Sequence, residues 1–394
     1  MRRERISGHE AMPTRRALPA LPPWHLFACA IALAACFSPL CGAETLRVAS
    51  YNIEADIDGY TTPRPGLDTV LEAIGQQSVN GIVRPLDIVA LQETTSNAAT
   101  LAPIVLDLNT YYGAGTYAMS SYQAKQSGSA GFGNGPNGII YNTATLQLIA
   151  SVGIGTPHGS ANGEYRQVVR YEFQPIGGTA LNDFYVYVSH MKSSASGTTE
   201  EVQAARNQEA AIIRNDVMTL SPTASVLYVG DFNLSGSAEP AYQTLTAPGQ
   251  GQAVDPLNLS LDYAQKWSLT AYKGIMTDSS TSLHYRTDIQ FMTQNVYDGT
   301  SAFGLQYIAG SYRVFGNNGT TGLGKSTDLT TNTSLDDLVG PISPAAALTA
   351  LTTGSDHLPV VADYTIAIVP EPEVLQLLGA GAVVALLVRR RFTA

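Results

Sequence analysis

The sequence predicts an α/β protein in which β-sheets pack on each other with helices outside. Three observations carry that expectation. Apolar, β-branched stretches of strand length outnumber helical ones by ten to three. Several alternate with period two, as where Phe184, Val186 and Val188 are set against Tyr185 and Tyr187, the pattern of a strand with two unlike faces. Residues 44–368 contain no cysteine, so stability has to come from an ordinary apolar core, which 325 residues are long enough to build as one large domain.

In chain order the predicted strands are LRVASYNI (46–53), DIVALQE (87–93), GIIYN (138–142), LQLIASVGI (146–154), RQVVRYEF (166–173) and DFYVYVSHM (183–191). SVLYVGDF (225–232), TDIQFMT (287–293), LQYIAGSYRVF (305–315) and HLPVVADYTI (357–366) complete the set. Helices are predicted over Leu67–Gln77, Ala98–Leu108 and Thr199–Leu220. The last begins with Thr198 or Thr199 as a cap and Glu200 and Glu201 at the positive end of the helix. Its Val202, Ala205, Ile212 and Ile213 share one face, and Arg206 reads as a cation on a solvated face. Gly-, Ser- and Asn-rich segments at 127–137, 156–163, 235–238 and 316–334 read as surface loops.

Both ends are of another kind. Residues 1–43 open with five arginines, continue into LFACAIALAACFSPLCGA and break at Glu44. A basic start, a short apolar centre interrupted by Pro39, and small residues at Cys41 and Ala43 describe a secretory signal peptide cut after Ala43. LAAC at 33–36 also resembles a bacterial lipoprotein box ending at Cys36, and that alternative stays open. The last segment, 369–394, reads VPEPEVLQLLGAGAVVALLVRRRFTA. Its apolar Val374–Val388 followed by three arginines predicts a short transmembrane helix with its basic end in the cytoplasm. The arrangement resembles the PEP-CTERM sorting tail of Gram-negative bacteria. That resemblance implies export across the inner membrane to the cell surface, the extracellular matrix or the medium, with a membrane-embedded sorting enzyme as a partner.

Between the ends, fourteen Lys and Arg stand against twenty-eight Asp and Glu, a net of −14. That charge disfavours indiscriminate gripping of polyanions. It leaves room for a site whose local charge is inverted by a bound cation.

Five stretches place polar residues where an apolar strand ends. VASYNIE places Asn52, IVALQE places Glu93, and VYVSHMKS places His190. VLYVGDFN places Asp231 and Asn233, and TGSDHLPVV places Asp356 and His357. Singly, each is an ordinary turn former or a structural histidine. Together they define one rim, because the ends of strands in packed sheets lie side by side. His158 and His284 read as loop residues.

GDFN (230–233), SDHLP (355–359), the NI and QE at their strand ends, and YRTDIQFM (285–292) with Asp288 resemble the endonuclease/exonuclease/phosphatase family over roughly 46–366. The resemblance implies a four-layer α/β sandwich, two mixed β-sheets face to face with helices outside. It implies a metal-dependent phosphoester hydrolase, a monomer acting on nucleic acid or another phosphodiester. Phosphoester hydrolysis needs a hard cation, Mg2+ or else Mn2+ or Ca2+, and oxygen ligands to hold it. Asn52, Glu93 and Asp356 are the expected metal ligands. His357 is the expected base, with Asp288 fixing its tautomer. Asp231 and Asn233 would hold the attacking water or phosphoryl oxygens, and a cationic His190 would stabilise the developing charge. Arg166 matches a phosphate-contacting arginine of the family, and Tyr187 is a second substrate-binding expectation. A phospholipid phosphodiesterase of the sphingomyelinase kind, a phosphomonoesterase and a non-catalytic surface module are the alternatives.

GTTGLGKS (319–326) fits the phosphate-loop pattern. The TDLTTNTSLDD that follows has no helical period, so no helix N-terminus aims its amides, and no ATP binding is expected.

Overall fold

The computed structural model describes residues 43–127, 131–155, 166–195, 197–257, 270–278, 285–319 and 331–368. The expected signal peptide except for Ala43, the expected sorting tail, both loop histidines and nearly all of the phosphate-loop stretch lie outside them. Among the described residues no helix is long and apolar enough to cross a membrane.

The first sheet contains β1 (Ala43–Asn52), β2 (Ile88–Gln92), β3 (Tyr117–Met119), β4 (Gly138–Asn142), β11 (Leu305–Tyr307), β12 (Arg313–Val314) and β13 (Val360–Ala367). Its order is β11-β13-β1-β2-β4-β3, with β12 also on β13. The second contains β5 (Leu146–Ile154), β6 (Val168–Pro175), β7 (Phe184–His190), β8 (Ser225–Asp231), β9 (Ala253–Val254) and β10 (Asp288–Thr293) in the order β5-β6-β7-β8-β10-β9. One parallel pair lies inside each sheet, β1 with β2 and β7 with β8, and every other pairing is antiparallel. Both sheets are therefore mixed. α1 (Leu67–Gln76), α2 (Ala102–Tyr112) and α6 (Pro344–Gly354) belong to the outside of the first sheet. α3 (Thr199–Val217) and α4 (Pro240–Thr246) cover the second, and α5 (Gln294–Tyr297) is a single turn after β10.

Local chemistry explains the elements. Thr198 and Glu201 form a reciprocal cap at the start of α3, and Ser343 caps α6 ahead of Pro344. The second helix is longer than expected, because a π turn over Asn97–Leu101, capped by Ser96, leads into α2. LQYIAGSYRVF is two short strands, since Gly310 turns the chain in the left-handed region. HLPVVADYTI enters its sheet only at Val360, after Pro359, which has no amide proton to offer a ladder. Five of the labelled elements escape the sequence reading: β3, β9, α4, α5 and α6.

Where the sheets meet, Val48, Ile88, Ala90, Val186, Val188, Leu227, Val229 and Met292 form one buried cluster. Gln290 joins the sheets inside it, donating to the carbonyls of Val48 (3.0 Å) and Val360 (2.7 Å) and accepting from the Tyr364 hydroxyl (3.1 Å). The pleat carries this inward face along each strand to its end. Two steps beyond Val188, Val229 and Gln290 stand His190, Asp231 and Asp288, and four beyond Val48 stands Asn52. Register aligns them: His190 lies opposite Asp231, Asp288 opposite Asp231, and Asn52 opposite Gln92.

On the outward face of β1, Arg47 is fully buried and bidentate to Asp363 of β13 at 2.7 and 3.0 Å. Its remaining protons go to the carbonyls of Ile74, Gln77, Ile82 and Arg84. Removing one partner of such a pair leaves the other charge buried and alone, which costs about 3–5 kcal/mol. Arg47→Met is expected to lower unfolding free energy by that amount in urea titration, and Arg47→Met combined with Asp363→Leu is expected to restore most of it.

Candidate active site

The row at the rim is tightly connected. Asn52 Nδ2 donates to Glu93 Oε1 at 3.0 Å and to Asp231 Oδ2 at 3.2 Å. His190 Nε2 lies 3.6 Å from Glu93 Oε1 and 3.5 Å from Asp231 Oδ2. The Asn233 amide donates to Asp231 Oδ1 at 2.9 Å, and the Asn233 side chain reaches the Met191 carbonyl at 3.0 Å. Across the cleft, His357 Nδ1 and Asp288 Oδ2 are 2.7 Å apart, leaving Nε2 on the open side, 3.8 Å from Asp356 Oδ1. Asn52, His190, Asp231, Asp288 and His357 are all buried.

Backbone geometry aims these groups. Glu93 and Asn233 adopt left-handed φ of 55° and 50°, conformations that cost energy and concentrate at functional sites. The glycine of GDFN is required by packing, since a Cβ on Gly230 would collide with the Ser189 carbonyl of the parallel neighbour. Ser355 Oγ accepts from the His357 amide (3.1 Å) and donates to the Asn52 carbonyl (2.7 Å), tying the β13 approach to the end of β1.

The site is electrostatically frustrated. Burial pushes Glu93 up to about 7 against the opposing help of Asn52, His357 and Arg166. Asp231 is raised by burial and then by the neighbouring Asp288 charge. For His357, burial favours the neutral ring, but Asp288, joined by Asp356 and Asp231, outweighs it and holds the pKa well above the ordinary value. Burial, followed by Arg166 and His357, holds His190 well below it. The protein's own groups thus favour a neutral His190, against the cationic role expected from the sequence.

A hard divalent cation fits this donor set. The carboxylates of Asp231 and Asp288 lie within 4.8 Å of each other beside His357, and Asp288 Oδ1 is buried without a hydrogen-bond partner. Carboxylate oxygens with raised pKa values are what such an ion would relieve.

The structure brings Asn52, Glu93, His190, Asp231, Asn233, Asp288 and His357 together, but Asn52, an expected metal ligand, turns its nitrogen to the carboxylates while its oxygen accepts from the Glu54 amide at 3.2 Å. Asp356 sits beside His357, its amide donating to Glu54 Oε2 at 3.2 Å. Arg166 is close and buried, but its guanidinium is held by the Met191 carbonyl (3.2 Å) and Asn134 Oδ1 (3.1 Å). It acts on Glu93 and Asp231 as a charge behind them. Tyr187 is a correction. It stands an odd offset, three positions, before His190, so the pleat sends it to the opposite face, where its hydroxyl donates to Asp216 of α3 at 2.5 Å. Arg206 is corrected too: it is buried against Glu239.

Sequence reasoning missed Glu54, Asp56 and Gly133. Glu54 has a left-handed φ of 49° and pairs with Arg64 at 3.0 Å. Asp56 lies under the Gly131–Gly135 turn, its burial offset by Arg166 and that turn's amides. Gly133 presses on Glu93, so that a Cβ there would stand 3.2 Å from Oε1. The acidic IEADIDG directly after β1 was the available signal for the first two.

A family model described as the Endonuclease/Exonuclease/phosphatase family matches residues 49–357. The chain belongs to that family. Solved structures similar to it include the human Nocturnin catalytic domain with bound sulfate, 14% identical, covering 83% of this chain and 97% of that one at a TM-score of 0.48. The endonuclease/exonuclease/phosphatase from Bacteroides vulgatus is 16% identical over 82% and 99%, at 0.47. Truncated Caenorhabditis elegans TDP2 is 16% identical over 81% and 97%, at 0.44. No protein with a curated description matches the sequence.

Two outcomes follow from the geometry. Gly133→Ala, strained at φ 66° and crowding Glu93, is expected to weaken Mg2+ or Mn2+ binding about tenfold in calorimetric titration, with the fold retained. Glu209 of α3, buried beside Arg166, is pushed by burial from 4.5 up to about 8. An acid whose folded pKa is raised adds stability below its unfolded pKa and loses it as pH rises through the folded value. Between pH 5 and 8 the wild type is therefore expected to lose a few kcal/mol relative to Glu209→Gln, at about 1.4 kcal/mol per unit, in parallel urea titrations.

Proposed function

We propose that the chain is an exported, metal-dependent phosphoesterase that cleaves the phosphodiesters of DNA or RNA by in-line attack of water. One observation carries this reading: His190, Asp231, Asp288 and His357, drawn from four separate segments, converge with Asn52 and Glu93 on one buried rim. A divalent ion bound there would polarise the phosphoryl oxygens and neutralise developing charge.

The chain's own groups divide the remaining work. Asn52 and the Asn233 amide fix both oxygens of Asp231, whose raised pKa suits it to take a proton from water. His357, locked through Nδ1 by Asp288 and favouring its charged form, presents Nε2–H to a phosphoryl oxygen. This transfers the base role expected of His357 to Asp231. Export is supported by the two ends of the sequence. A nucleic-acid substrate is supported by aromatics beside the row: Phe132, adjoining Gly133 at Glu93, is 71% exposed, and Tyr285, near Asp288, is 48% exposed. Exposed rings next to a phosphoryl site offer stacking surfaces for bases.

Purified protein is expected to cleave plasmid DNA or RNA with Mg2+ and to stop on chelation. Asp231→Ala and His357→Ala should each lower kcat about 10²–10⁴-fold. Turnover that survives chelation or both substitutions would remove the mechanism. Preference for sphingomyelin would move the substrate to phospholipid, and no turnover of any phosphoester would make the chain a binding module.

A further inference from the structure

One buried carboxyl has no part in the reactive row. Glu209 lies midway along α3, 1% exposed, on the helix face it shares with Ala205, Ala210 and Ile213. Its Oε1 accepts the backbone amide of Arg166, just ahead of β6. From that backbone the Arg166 side chain reaches both flanks of the row. Nη1 donates to the carbonyl of Met191, which follows His190 and also accepts from Asn233 Nδ2 at 3.0 Å. Nη2 donates to Asn134, the neighbour of the Gly133 that presses on Glu93. Glu209 therefore holds the arginine whose charge lies behind Glu93 and Asp231.

The charged groups facing Glu209 come from three directions. Arg166 approaches from ahead of β6, Asp231 from the end of β8, and Arg206 from the preceding turn of its own helix. Arg206 is itself bidentate to Glu239 ahead of α4, at 2.9 Å to each oxygen. Arg170 of β6 and Asp216 further along α3 occupy each other at 2.6 Å. Burial outweighs the amide bond and both arginines, so Glu209 keeps its proton at neutral pH and releases it at about pH 8. While the proton is there, the Arg166 charge acts in full on Glu93 and Asp231. Once ionised, Glu209 offsets that charge and adds a negative one that couples to Asp231. Buried charges interact with little screening by salt.

We propose that Glu209 is a positioning residue that tunes the rim through Arg166: neutral, it leaves the arginine's charge to favour an anionic phosphodiester, and ionised, it turns the rim toward the cation and against the anion. The inference rests on the phosphoesterase reading and adds regulation by pH to it. A charge change of this kind has a signature that loosened packing lacks. An added buried negative charge tightens cation binding and weakens anion binding at one site, whereas a displaced Arg166 backbone would weaken both.

The test compares the wild type with Glu209→Gln, an isostere of the protonated acid, in the full chain. At pH 9 the wild type is expected to bind Mg2+ severalfold more tightly than the variant in calorimetric titration. It is expected to bind inorganic sulfate, whose charge is constant in this range, about tenfold more weakly. Both differences should shrink as pH falls below 7 and persist in high salt. With Mg2+ saturating, the wild-type KM for a chromogenic phosphodiester should rise through pH 8 more than kcat falls, and Arg166→Gln should flatten that rise. The same pH course in wild type and Glu209→Gln, or Mg2+ and sulfate affinities that move in one direction, would overturn the proposal. Wild-type sulfate affinity that is flat from pH 7 to 9, or undetectable throughout, overturns it even without a variant. Opposed shifts of the two ions without turnover of any phosphoester would leave the tuning standing and remove the reaction.

Discussion

The structure depends on one constraint: ionised carboxylates brought to the closed end of an apolar sandwich. Burying a carboxylate without a partner is costly enough that the group changes pKa instead. Glu93 and Asp231 show that response, and the protein offers them one amide, one buried arginine and one charged imidazole. A chain selected only for stability would place apolar residues there, as this one does two positions earlier with Val188 on β7 and Val229 on β8. The retained tension is what a cation bound at the rim, as proposed, would relieve.

The same economy of positive charge runs through the whole molecule. Four arginines are buried in pairs with carboxylates: Arg47 with Asp363, Arg64 with Glu54, Arg206 with Glu239, and Arg286 with Asp255. Each holds strand and loop segments in register and is withdrawn from solvent. The remaining cations face a large excess of acids, so long-range attraction of a polyanion is weak. Under the proposed function, substrate capture would rely on short-range complementarity to the rim groups and to the exposed rings of Phe132 and Tyr285. That is a different physical strategy from a basic groove, and it suits small or terminal phosphodiesters better than the interior of a duplex.

Much of the fold was legible because period two is a strong signal when both faces of a strand are buried differently. Nine of the ten predicted stretches appear as single strands, and the tenth breaks at Gly310, a turn signal within LQYIAGSYRVF. The site residues were legible for a related reason, since a polar side chain on the inward face at a strand end has few destinations other than the rim. Tyr187 failed because its spacing from His190 was read along the chain and not across the pleat. Arg206 failed because helical position alone does not distinguish a solvated cation from one facing a buried glutamate on another segment. Glu54 and Gly133 depend on left-handed backbone and on contacts between distant loops, which no local pattern encodes. The short β3, α4 and α6 lie where few residues contribute to any period; Ser343 and Pro344 announced α6, but tertiary packing on α1 defines it.

Chemistry and specificity are separable in this architecture. The reactive row is built from strand ends, whose positions follow from the pairing of β1, β2, β7, β8 and β10 and tolerate little change. The cavity beside Asn233 and Thr287 is built from what lies between strands, and Arg206 in its wall bonds to Glu239, Lys192 and Ser194, none of which belongs to the row. Exchanging the Arg206–Glu239 pair for an uncompensated cation would leave the strand register intact and turn the cavity toward phosphate. A family that keeps one reaction while varying its substrates needs such a division, in which the groups that position atoms for reaction are carried by the sheets and the groups that choose the substrate are carried by the loops.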